Sequence, residues 1–210
     1  MSLEGEKLAA RFSHNCWKIR MRGHCDLLKD FARKGAKRDE SVHVLKALDS
    51  FAYYKIIASQ NNISDPFDLR VVKAYWFGDD DLVRKIENND QVFLPFHNYT
   101  IILDHIHHSA LEEIDRCKVS VAKVWEVKES CINVRHTAIN QKENKIIFVE
   151  PRLDSINRGF VDDIIKREWI AYHEGEAIQK IEKEEAIKLV NRTKDAIKLF
   201  NEQTASKSRE

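Results

Sequence analysis

Apolar positions recur at helical spacing up to about residue 114, alternate like strand positions from Cys117 onward, and return to helical spacing near the C-terminus. Glu6 to Phe12 predicts a first helix, which His14-Asn15-Cys16-Trp17 breaks; Gly23 and Gly35 bracket a second, His24 to Lys34. Ser41 stands where it can cap a helix reaching about Gln60, with Val44, Leu45, Leu48, Phe51, Ile56 and Ile57 on its apolar side. Ser64-Asp65-Pro66 predicts another helix start, with Pro66 near N1, Val71, Val72, Tyr75 and Trp76 buried, and Gly78 as terminator. Asp79, Asp80 and Asp81 read as N-terminal carboxylates of a helix over Leu82 to Ile86. Pro95 then separates this bundle from a helix over Tyr99 to Ile114.

Beyond Cys117, Val119, Val121 and Lys123 alternate with Ser120, Ala122 and Val124, a strand period. Cys131 to His136 predicts a second strand, Asn140 to Asn144 a turn and Ile146 to Val149 a third strand. Pro151 to Arg158 reads as irregular, and Phe160 to Lys166 as a short helix or a strand approach. Trp169, Ala171 and His173 alternate with Ile170, Tyr172 and Glu174; Gly175 supplies a turn, and Ala177 to Ile181 runs back. From Glu182 a helical stripe of Ala186, Val190, Ile197 and Phe200 follows, and Gln203 to Glu210 reads as a disordered polar tail. Five strands suffice for a small barrel, with Trp169 in its core. The expected fold is α+β: a helical domain over 1–114, an OB-like β-barrel with a C-terminal helix over 115–203, and a tail over 204–210.

Composition narrows the function. The chain has 210 residues, 43% hydrophobic and 33% charged, with a formal net charge of +1, which argues against a broad nucleic-acid surface. No run of about 18 apolar residues predicts a membrane span, and the start lacks a secretory h-region. Four cysteines without tight spacing suit a reducing cytosol, so a soluble cytoplasmic protein is expected. No G-x-S-x-G, phosphate-cradling glycine loop or H-E-x-x-H predicts turnover, and no enzyme is expected.

Four groups of residues carry candidate chemistry. Cys16 and Cys25, with His14 and His24 beside them, are a metal site or two helix-packing thiols. Asp79 to Asp81 offer carboxylates to a cation as an alternative to helix-starting charge. His105, His107 and His108 near Asp104 and Glu112 are either a metal site or an exposed histidine patch. Cys117 and His173, on residue type alone, read as a small buried hydrophobe and a half-exposed strand residue. Tyr53, Tyr54, Phe67, Tyr75, Trp76 and Phe77 are core first, and an exposed part could serve as a partner surface.

The run Trp169-Ile170-Ala171-Tyr172-His173-Glu174-Gly175-Glu176-Ala177-Ile178-Gln179-Lys180-Ile181-Glu182-Lys183-Glu184-Glu185-Ala186 resembles the HypC/HupF family of hydrogenase-assembly chaperones. Their signature has the form W-V-L-V-H-x-G-F-A-I-x-K-I-(D/E)-x-E-E-A. The resemblance implies a small barrel with a C-terminal helix and an iron centre bearing cyanide and carbon monoxide. That centre would be held by a cysteine at the start of the barrel and by the motif histidine, here Cys117 and His173. In the family the cysteine follows the initiator methionine and a proline comes shortly after; here it is internal and that proline is absent. Arg116 and Lys118, adjacent in sequence, would favour the thiolate.

Upstream, the segments Phe51 to Ala58 and Asp65 to Gly78 resemble an uncharacterised prokaryotic family associated with nickel–iron hydrogenase genes. Together these resemblances imply an accessory protein of nickel–iron hydrogenase maturation. It would bind a hydrogenase large subunit or another maturation protein and carry iron through Cys117 and His173, without nucleic acid or membrane. Two alternatives stay open: a metal-free protein-interaction module, and a metal-dependent enzyme built on His105 and His108.

Overall fold

A computed structural model describes residues 3–79, 81–88, 91–105, 111–142 and 145–207. The chain is α+β and divides into two compact units, residues 1–86 with 92–97 and residues 87–91 with 98–210.

The first unit contains α1 (Leu3–Ser13), α2 (Trp17–Met21), α3 (Cys25–Lys34), α4 (Arg38–Lys46), α5 (Asp49–Gln60) and α6 (Leu69–Phe77). Its aromatic residues make its interior, as the pattern predicts. Trp76 stacks on Phe12 with centroids 4.5 Å apart and donates its indole N–H to the Tyr54 hydroxyl at 2.7 Å. Such a buried donor needs a partner, and Tyr54 supplies one. Gly5 packs where the Phe67 carbonyl leaves no room for a Cβ, so α1 lies close against the segment leading into α6.

Three helix expectations change. The single helix from Ser41 to Gln60 is two, because Leu48 adopts an extended conformation at φ −88° and ψ 150°, restarting the chain at Asp49. Ser41 is a buried residue inside α4, not its cap. Asp65-Pro66 forms a turn in which the Asp65 side chain accepts the Phe67 N–H at 3.0 Å; Asp68 caps α6, accepting from Arg70 N. Gly78 ends α6 at φ 71°, as predicted. The predicted helix over Leu82 to Ile86 does not form: Asp79 caps a turn, accepting from Asp81 N at 2.9 Å, and the chain enters β1 (Ile86–Asn88). This strand pairs with β2 (Gln91–Phe93).

In the second unit α7 (His97–His105) and α8 (Leu111–Cys117) lead into the strands; α7 begins one residue before the unit does. β3 (Ser120–Val127), β4 (Cys131–His136), β7 (Arg152–Asn157), β8 (Trp169–His173) and β9 (Glu176–Ile181) close a barrel in the order β3-β4-β7-β9-β8. Numbered within the barrel this is 1-2-3-5-4, with the third and fifth strands parallel, the OB-like arrangement expected. Ala122, Val124, Ile132, Val134, Ile156 and Ile170 fill the interior.

Residues 152–157, expected to be irregular, are the barrel's third strand, paired with β4 from Arg152↔His136 to Asn157↔Cys131. The apolar alternation that would announce it is missing, because Leu153 is exposed, Arg152 pairs with Asp154, and Asp154 lies within hydrogen-bond distance of His136 Nε2. Segment 160–166 is neither helix nor strand but a run of turns and bends. Asn140 to Lys142, expected to lie in a turn, belong to β5 (Ile139–Lys142), which pairs with β6 (Lys145–Phe148) outside the barrel. The remaining positions of that predicted turn, 143 and 144, lie outside the described residues. α9 (Lys183–Lys207) holds β6 through Asn201, whose side chain both accepts from Ile146 N and donates to Ile146 O. The helix continues through the stretch expected to be a disordered tail, as far as Lys207. Trp169 is half-buried, with the Lys123 ammonium 5.8 Å from its ring centroid, not enclosed in the barrel. No helix among the described residues is long and apolar enough to cross a membrane.

A candidate cysteine–histidine site on the barrel

Cys117 is the last residue of α8, three positions ahead of β3, so the thiol sits at a helix end and not on the strand itself. Its place is fixed by neighbours on both sides. Asp115 accepts the Ile139 N–H at 2.9 Å and an Arg152 N–H at 3.1 Å, and Lys118 N closes the helix on Ile114 O at 2.9 Å. His173 is the last residue of β8 and is 1% exposed. The turn after it uses left-handed backbone at Glu174, φ 51°, and Gly175, φ 75°, the two positive φ values of a tight hairpin connection.

The register of β3 on β8 pairs Ser120 with Tyr172, which brings the end of β8 to the start of β3. As a result the Cys117 sulfur lies 3.9 Å from the His173 Nε2, across 56 residues of sequence. Metal–sulfur and metal–nitrogen bonds of about 2.3 and 2.0 Å set two such ligands of one ion roughly 3–4 Å apart. The observed spacing falls within that range, so a soft thiolate and an imidazole fit a transition-metal ion.

The electrostatics differ from the expectation. Arg116 turns to Glu174, its Nε 2.9 Å from the carboxylate, and Lys118 turns inward to Asp115 at 3.0 Å and to the Ser120 hydroxyl. Lys118 is 2% exposed, and burial lowers its pKa against the pull of Asp115. Both cations are thus committed to carboxylates, and the C-terminal end of α8 adds partial negative charge next to the sulfur.

Just ahead of β3, the Asn98 side chain accepts from Val119 N at 2.7 Å and donates to Val119 O at 2.9 Å.

His14 Nδ1 faces Arg11 O at 2.8 Å and Cys16 the Phe12 carbonyl at 3.8 Å; among the described residues neither they nor His24 and Cys25 belong to a metal-sized cluster. His107, His108, Asp80 and the side chains of Asp104 and His105 lie outside the described residues.

No curated protein and no solved structure matches the chain. One family model covers nearly all of it, in two stretches, residues 2–93 and 87–207. The chain belongs to that family, described as "Family of unknown function (DUF6390)".

Proposed function

We propose that this chain is an accessory protein of nickel–iron hydrogenase maturation, carrying an iron centre on Cys117 and His173 for delivery to a hydrogenase large subunit or another maturation protein. The observation that carries this reading is the 3.9 Å approach of the Cys117 sulfur to His173 Nε2. It is supported by the resemblance of Trp169 to Ala186 to the HypC/HupF motif and by the five-stranded barrel with its C-terminal helix. A thiolate and an imidazole suit low-spin iron, and two protein ligands leave other positions to strong-field diatomic groups. Within the protein, Cys117 would bind through sulfur and His173 through Nε2, both held in place before any metal arrives.

The rival reading is a metal-free interaction module, which the commitment of Arg116 and Lys118 to carboxylates favours. Complementation in a strain lacking the protein separates the two. Cys117→Ser and His173→Ala should each abolish hydrogenase maturation and the iron copurifying with the chain. Full maturation by both variants would overturn the carrier reading and support the module.

A further inference from the structure

We propose that Arg116 and Glu174 form a positioning clip that sets the separation of Cys117 and His173 and slows loss of the metal. The inference rests on the carrier reading above and names residues outside its ligand pair. Glu174 donates its backbone N–H to the Arg116 carbonyl at 3.1 Å, and its carboxylate accepts from Arg116 Nε at 2.9 Å. Each clip residue is the immediate neighbour of a ligand: Arg116 precedes Cys117, and Glu174 follows His173. The two contacts therefore tie the end of α8 to the hairpin tip at the point where sulfur and imidazole meet.

The pair is asymmetric. The Glu174 side chain is 7% exposed and Arg116 57% exposed. Removing the guanidinium leaves a nearly buried carboxylate without its charged partner, in a turn whose Glu174 already holds left-handed backbone at φ 51°. That turn would relax outward to hydrate the carboxylate and carry His173 with it. Arg116 also presents the clip to solvent, where a carboxylate-bearing partner could compete for it and open the site.

Ferrous iron alone, added anaerobically to the full chain in competition with a chromophoric chelator, tests this. Arg116→Ala and Glu174→Gln should each weaken binding about 10- to 100-fold, the range found when groups supporting metal ligands are removed, and should speed iron dissociation correspondingly. The double variant should be no weaker than the weaker single, because both changes break one contact. Arg116→Ala alters an exposed side chain, so an unchanged far-UV spectrum keeps the comparison valid if Glu174→Gln folds poorly. Clip variants that bind within about twofold of the parent, while Cys117→Ser loses iron, would overturn the clip and leave the carrier reading standing. Cys117→Ser binding like the parent, or a parent that takes up no ferrous iron, would instead refute the carrier reading itself.

Discussion

Tyr54 shows how one buried group writes a pH dependence into the molecule. Burial pushes its hydroxyl above the ordinary value of 10.0, with the Trp76 hydrogen bond pulling the other way. A folded pKa raised above the unfolded one gives stability that is complete below about pH 10 and lost as pH rises beyond it, because only the unfolded chain gains the phenolate. Urea midpoints should therefore fall between about pH 9 and pH 11, and Tyr54→Phe should flatten that fall while lowering stability at both pH values. An equal slope in the variant would contradict the assignment. At this scale sequence alone was uneven. Gly78 and Gly175 were legible because positive φ leaves few residue choices. Cys117 and His173 were legible only through the motif, since residue types give no hint that a helix end and a strand end meet.

Elements were legible where their period was clean and hidden where polar pairing interrupted it. β4 lies where the alternation predicts, over Cys131–His136, whereas β7 vanished behind Arg152, Asp154 and an exposed Leu153. The closure that β7 makes depends on Gly159, at φ 56°, where a Cβ would collide with the Ala177 carbonyl of β9. Phe160 N donates to that same carbonyl at 2.9 Å. Gly159→Ala should destabilise the fold by about 2–4 kcal/mol, combining left-handed strain with a steric clash. Gly23→Ala, at φ 69° with nothing within 4 Å of its Cβ, should cost only the strain, about 1 kcal/mol. Equal losses in chemical denaturation would show that β9 does not press on Gly159.

At the scale of the whole molecule, the change of period near Cys117 made the α+β class and the barrel-plus-helix legible. The OB-like barrel was expected as a whole, but the parallel β7–β9 contact that its order depends on has no local sign in the sequence. That order matters to the proposed function because it returns β8 alongside β3 and so delivers His173 to the end of α8. The barrel thereby converts a 56-residue separation into a 3.9 Å one. The most direct test is X-ray absorption at the iron edge on the full chain loaded anaerobically with ferrous iron. A sulfur and an imidazole nitrogen bound to the iron are expected, with the sulfur lost in Cys117→Ser and the imidazole signal reduced in His173→Ala. An iron environment of oxygen alone, or a sulfur signal that survives Cys117→Ser, would contradict the account.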